Sequence, residues 1–322
     1  MSGPSQPGSN GESGGAPRVS ILVPAFDEAQ NMPELFAELA DVIRDHALSA
    51  EVIVVDDGSE DGTIEAARRA ASDAGLSETI LLRHRRNRGK TEALLTGARA
   101  ARGEILVLFD ADLQHSPREI PRFIDELDRG FDMVVGRKVG HYEKRFVSSI
   151  YNWLARRIFG VPVHDLNAMK AFRREVLEEV RLRSDWHRYL VVLAHARGFR
   201  VTEIDVELHP RRHGVSKYAG RGRIVVGTLD LLAVWFQLVF SRRPMLLFGV
   251  TGLLLLGSGA LVGLVALYLR FVLQAGYRPL LTLVLLLTVV GLLLFAIGFL
   301  AELIASLRGE VEELREKLEE RR

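Results

Sequence analysis

Two pairs of aspartates stand where apolar runs stop. Asp110 and Asp112, separated by Ala111, follow the run 104–109 (EILVLF), and Asp56 and Asp57 follow 51–55 (EVIVV). Two carboxylates one residue apart at a strand end can share a hard divalent cation. Mg²⁺ or Mn²⁺ prefers oxygen ligands and keeps positions for phosphate oxygens. Gln114 adds a neutral oxygen shortly after the pair. A cation held there would neutralise a diphosphate and the charge that develops as it leaves. An isolated aspartate pair is as readily a surface turn, so the strand context and the second acidic pair are what favour ligand chemistry. Asp56-Asp57-Gly58-Ser59 reads either as a strand-to-helix turn or as carboxylates accepting from ribose hydroxyls and base NH groups. Pro24-Ala25-Phe26-Asp27-Glu28 presents an aromatic ring and carboxylates from the first strand end, and Phe26 can either stack on a base or pack.

The cationic candidates lie in two places. The segment 84–90 (HRRNRGK) is the densest basic cluster, and a solvated face explains most of it. Gly89-Lys90 at a helix start can also meet phosphate, because helix N-termini attract anions. Arg211, Arg212 and Lys217 form the second group, just before an apolar region where a lipid headgroup would arrive. Across 322 residues the 42 basic and 41 acidic side chains nearly cancel, which gives no argument for nucleic acid as a partner. There is no cysteine, so disulfides, thiolate metal sites and cysteine nucleophiles are excluded.

Short apolar strands at 19–23, 51–55, 79–82 and 104–109 alternate with helical patterns at about 31–43, 63–74 and 91–101. Asn31 is the expected N-cap of the first helix, with Pro33 in its first turn, and Pro24 is expected to end the first strand. The alternation predicts an α/β fold with a mostly parallel, helix-covered sheet. Ligands of such sheets gather at the carboxyl ends of the strands, where Asp56 and Asp110 stand.

Residues 1–17 are Gly, Ser and Pro with no apolar run, and read as a disordered leader that is no signal peptide. Residues 18–220 are expected to form the catalytic domain and 221–243 an interfacial helix bracketed by arginines. Within 244–301 two uncharged stretches, about 244–269 and 279–301, are each long enough to cross some 30 Å of hydrocarbon. Two crossings put both termini and the catalytic domain on one side, and a modest arginine bias with the leader makes that side cytoplasmic. The charged tail, 302–322, places Leu307, Val311, Leu314 and Leu318 at four-three-four spacing. That spacing suits pairing with a second copy held in the same membrane, and equally a solvated helix end.

Taken in order, 24–28 (PAFDE), 54–59 (VVDDGS), 87–90 (NRGK), 110–115 (DADLQH) and 134–138 (VVGRK) resemble family 2 glycosyltransferases of the GT-A fold. The segments 164–172 (HDLNAMKAF) and 211–218 (RRHGVSKY), followed by a two-helix anchor, are similar to polyprenyl-phosphate (dolichyl-phosphate) hexose synthases. The resemblance implies that Pro24, Phe26, Glu28, Val54 and Asp56 hold the nucleoside. It implies that Asp110, Ala111, Asp112 and Gln114 bind the metal and diphosphate. Lys138, Arg211 and Lys217 align with basic residues near the phosphates, and neighbouring Arg137 can replace Lys138 in space. Asp112, Arg211, Lys217 and Asp165 are the residues expected to bear on transfer, Asp165 as orienter, base or loop buttress. Phe26-Asp27 replaces the usual Tyr-Asn, and Ala168-Met169 departs from the usual glycine-containing pair, so the acceptor wall is expected to differ.

The implied activity is inverting, metal-dependent transfer of a hexose from a GDP-mannose or UDP-glucose type donor to an undecaprenyl or dolichyl phosphate. A lipid phosphate is largely anionic near neutrality, so it needs positioning and screening more than a base, which Arg211, Arg212, Lys217 and Lys138 suit. Transfer to another membrane lipid or a polysaccharide is the alternative within enzymes. A receiver-like Mg²⁺-binding domain and an inactive membrane scaffold are the alternatives outside this class.

Overall fold

The computed structural model describes residues 16–139, 160–166, 168–180, 182, 186–212, 236 and 244–319. The chain divides into two compact units, Met1–Arg223 and Ile224–Arg322.

In the first unit seven strands form one sheet: β1 (Val19–Ala25), β2 (Ala50–Asp56), β3 (Ile80–Arg83), β4 (Ile105–Leu108), β5 (Met133–Val139), β6 (Lys170–Arg173) and β7 (Val201–Glu207). Their order is β3-β2-β1-β4-β6-β5-β7. β6 alone runs antiparallel to its neighbours, pairing Leu108 and Val135 with Lys170. The expected mostly parallel α/β sheet is therefore present, with β6 as its reversed strand. That reversal matters for the chemistry, because it brings the first residue of β6 to the edge where β1, β2, β4 and β5 end.

The crossovers are α1 (Met32–Asp45), α2 (Thr63–Asp73), α3 (Lys90–Ala100) and α4 (Ile120–Asp128), with short helices α5 (Arg174–Glu179) and α6 (Leu190–Ala196) later. Alternate residues of the central strands serve opposite layers. Ile21, Val23, Val52 and Val54 join Leu35, Leu39, Ala67 and Ala70 of α1 and α2 in the main core. Leu22, Ile53 and Val55 face α3 at Gly97, where an added Cβ would already lie 3.3 Å from Val55. Burial on both faces explains why these strands read as continuous apolar runs.

Two local expectations are corrected. β1 does not stop at Pro24 but runs to Ala25. Pairing with β4 ends at Leu22, so Pro24 has a strand on one side only and its missing N–H is tolerated. Asn31 does not cap α1 with its side chain, because its own backbone is already helical. Its Nδ2 instead donates to Glu28 Oε2 at 2.5 Å.

In the second unit, α7 (Pro244–Phe271) and α8 (Arg278–Glu319) form an antiparallel hairpin. Met245–Phe271 and Arg278–Leu307 are long and apolar enough to cross a membrane. Small residues let the two backbones approach: a Cβ on Gly252 would sit 2.6 Å from the Gly291 carbonyl, and one on Gly298 2.9 Å from the Gly249 nitrogen. The Met245 N–H donates to Glu302 Oε2 at 3.1 Å, so α8 caps the start of α7. The charged tail is not a separate element; α8 continues unbroken to Glu319, with Leu307, Val311 and Leu314 exposed. Apart from Phe236, the proposed interfacial helix lies outside the described residues, as does the leader as far as residue 15.

Candidate active site

Asp110-Ala111-Asp112 leaves β4 at the edge where the parallel strands end. Phe109 and Ala111 are buried, which fixes the segment from both sides. Leu113 follows with φ 54°, a left-handed conformation costly for a branched side chain and typical of constrained functional turns. That turn brings Gln114 back beneath Asp112, whose Oδ1 accepts from the Gln114 N–H at 3.2 Å. The Gln114 carbonyl in turn accepts from the His209 N–H at 2.8 Å, which ties the segment after β7 to the site.

Each carboxylate of the pair meets a cation of the chain. Lys90, the first residue of α3, contacts Asp110 through Nζ and Oδ1. Arg211 lies 2.7 Å from Asp112 through Nη2, and its Nε donates to Gln114 Oε1 at 3.4 Å. Lys138, at the end of β5, faces Asp165 at 3.6 Å. Lys170 is fully buried at the start of β6 and donates to the Ala168 carbonyl at 2.8 Å. His115 is also buried, and its Nδ1 has no hydrogen-bond partner among the described residues.

The electrostatics follow from this crowding. Burial pushes Asp110 up, but Lys90, with His115 and Lys170 behind it, outweighs burial and holds the carboxyl below its ordinary range. Burial, then the neighbouring charge of Asp110, pushes Asp112 up against the pull of Arg211. Burial takes His115 down to about 4 and Lys170 down to about 7, the latter helped by Lys90.

Among the described residues no three acidic or histidine side chains cluster to make a complete metal cage. Asp110 and Asp112 with the Gln114 amide oxygen fit a hard divalent ion that takes its other ligands from phosphate and water. Such an ion would also relieve the mutual repulsion that raises Asp112.

Asp56 is fully buried; its Oδ1 accepts from the Ser59 N–H at 2.8 Å, and its Oδ2, 3.2 Å from Arg83 Nε, has no hydrogen bond among the described residues. Pro24, Phe26 and Glu28 are partly exposed at the neighbouring strand end. Val54 is different: its side chain lies wholly in the core, so it supports the strand end and offers no contact surface. Asp57 is a scaffold, accepting from the Arg88 and Gly89 N–H groups at 2.9 and 2.7 Å and lying 2.7 Å from His84 Nδ1. The basic cluster is thus only partly a solvated face, since His84 is buried on Asp57 and Lys90 turns inward.

Two of the candidate cations are turned to other partners. Arg137 points to the other side of β5 from Lys138 and grips Asp205 at 2.5 and 2.8 Å, so it does not replace its neighbour. Arg212 is drawn to Glu34 and Glu38 of α1. Lys217 lies outside the described residues. His115 and Lys170 carry no expected role from the motifs, and Lys90 is expected there only on phosphate. The available signal was a lysine inside the otherwise apolar run 168–172 (AMKAF), since a buried strand carries a charge only where it has work to do.

Comparison with known proteins agrees with this geometry. The profile of Glycosyl transferase family 2 matches residues 20–181. A dodecaprenyl-phosphate galacturonate synthase of Rhizobium johnstonii is 37% identical over 287 residues, covering 84% of this chain and 83% of that one. An undecaprenyl-phosphate 4-deoxy-4-formamido-L-arabinose transferase of Pseudomonas fluorescens is 30% identical over 268 residues, covering 80% and 75%. Among solved structures, glucosyl-3-phosphoglycerate synthase of Mycobacterium tuberculosis, in complex with Mg²⁺ and uridine diphosphate, superposes with a TM-score of 0.54. That match has 19% identity and covers 67% of this chain and 80% of that one, so it speaks to the GT-A fold alone. A strand-end aspartate pair, its companion motifs and these relatives converge: the chain belongs to glycosyl transferase family 2 and is a glycosyltransferase whose relatives use polyprenyl-phosphate acceptors.

Proposed function

We propose that this enzyme transfers a sugar from a nucleotide sugar to a polyprenyl phosphate, with its catalytic unit and both termini on the cytoplasmic side of a membrane spanned by α7 and α8. The observation that carries the reading is the gathering of Asp110, Asp112, Lys90 and Arg211 beside the Lys138–Asp165 pair at one sheet edge. Donor-side and acceptor-side charges are thereby adjacent.

Asp110, Asp112 and Gln114 would hold Mg²⁺ or Mn²⁺, which when bound neutralises the diphosphate leaving group. Asp56 Oδ2, which faces Arg83 Nε at 3.2 Å and has no hydrogen bond among the described residues, is suited to accept from a nucleobase or ribose, with Phe26 and Glu28 alongside. Arg211 and Lys138 orient phosphate oxygens, and Lys217 is assigned the same role from its motif. A lipid monophosphate is already mostly ionised at neutral pH, so its oxygen attacks the anomeric carbon without needing a base. The bond to the nucleoside diphosphate breaks in the same displacement, which inverts the anomeric centre. Asp165, beside Lys138, orients the acceptor.

The sugars in the relatives' names, a galacturonate and a formamido-arabinose, widen the donor class beyond neutral hexoses such as mannose and glucose. The test is incubation of the purified full chain with labelled nucleotide hexoses, hexuronates and 4-substituted pentoses, with polyprenyl phosphate and Mg²⁺ or Mn²⁺. A labelled lipid whose formation stops with chelator is expected. Product on diacylglycerol or glycan alone would reassign the acceptor, and no product with any donor would refute the reading.

A further inference from the structure

Both carboxylates of the aspartate pair are already engaged by the chain: Asp110 by Lys90, and Asp112 by Arg211 at 2.7 Å. Each carboxylate faces one cation in a place where the Lys90, Asp110, Arg211 and Asp112 side chains are 22%, 32%, 25% and 12% exposed. A divalent ion arriving alone would add two positive charges beside two cations in a poorly solvated site, which is unfavourable at these distances. An ion arriving with a diphosphate would bring compensating negative charge.

The surroundings let the cations change partner without moving the backbone. Gly89 is fixed by its N–H bond to Asp57 at 2.7 Å and by its φ of 89°. Lys90 can therefore redirect only its flexible stem, and it stays at the N-terminus of α3, an 11-residue helix whose positive dipole end favours an anion. Arg211 already bridges Asp112 and Gln114, and its planar donor fork suits a phosphate equally.

We propose that Lys90 and Arg211 are internal counter-cations that make divalent-ion binding conditional on the donor's diphosphate. The ion takes the carboxylates as the diphosphate takes the cations, so each ligand tightens the other by the same factor. This inference rests on the metal-binding role given to Asp110 and Asp112 above.

The test titrates the full chain in detergent with Mn²⁺, following free Mn²⁺ by electron paramagnetic resonance, with and without UDP or GDP. In the native protein a nucleoside diphosphate should tighten Mn²⁺ binding about 5-fold or more. Lys90→Met and Arg211→Met should each bind Mn²⁺ alone about 5-fold or more tighter than native, and each should lose much of the diphosphate coupling. Lys90→Arg keeps the charge and should behave as native. If one methionine variant does not fold, the other decides. Methionine variants that bind Mn²⁺ alone no tighter than native would overturn the proposal, as would native protein that binds Mn²⁺ equally with and without diphosphate. The titration uses neither sugar nor lipid, so failure of every transfer assay would refute the proposed function and leave this result standing.

Discussion

Lys170→Met tests the electrostatics of the site without substituting either aspartate of the pair. Lys170 is 1% exposed, and burial takes its ammonium from 10.5 to about 7. At about 1.4 kcal/mol per unit, holding the charged form in the fold costs on the order of 5 kcal/mol. Below pH 7 both folded and unfolded chains carry the proton, so the cost is felt in full. Between pH 7 and 10.5 the unfolded chain binds the extra proton, and stability contributed by this residue rises with pH. Methionine keeps the length of the stem and removes the charge, while the Ala168 carbonyl loses its donor at a cost of about 1 kcal/mol. The variant should therefore be more stable than native by about 2–4 kcal/mol at pH 6. That gap should narrow by about 2–3 kcal/mol between pH 7 and 9. For a unit of this size the pH 6 gap corresponds to roughly 5–10 °C in melting temperature. Paired thermal melts in detergent, followed by the fluorescence of buried Trp186, read both numbers. A gap that does not change with pH, or a variant that melts below native at pH 6, would refute the reasoning.

Asp112→Asn should reduce transfer by about 100-fold or more. Its melting temperature at neutral pH should hold or rise, because burial and Asp110 disfavour the ionised form; retained activity would remove Asp112 from the site. Asp57→Ala removes the acceptor of the Arg88 N–H and the partner of His84 Nδ1 and leaves the Gly89 N–H only Asn87 Oδ1 at 3.1 Å, and should lower stability by about 2–3 kcal/mol in the same melts. Gly252→Ile puts a branched side chain where a Cβ already comes within 2.6 Å of the Gly291 carbonyl. Spin labels on α7 and α8 should report a longer distance, and an unchanged one would contradict the packing described.

Much of the catalytic unit was legible because its strands are buried on both faces and its helices carry one apolar side. Ile21, Val23, Val52 and Val54 announce themselves as core, and Asp56 and Asp110 stand out as the charges that end such runs. What misled was local. Asn31 has the residue type of a cap, but cap geometry depends on a backbone angle that residue type does not set. Pro24 looks like a strand terminator, yet its tolerance depends on which side of β1 has a partner at that level.

By itself the sequence determined the α/β class, the apolar hairpin, the aspartate pair and the order of motifs that marks the family, because periodicity and strand ends are properties of neighbouring residues. Only the tertiary structure decided which charges meet. Lys90 and Asp110 are 20 positions apart, and Asp112 and Arg211 99. Nothing local distinguishes Lys138, turned toward Asp165, from Arg137, turned toward Asp205. Lys170 reaches the site because β6 runs against its neighbours, and strand direction is settled by pairing between distant segments.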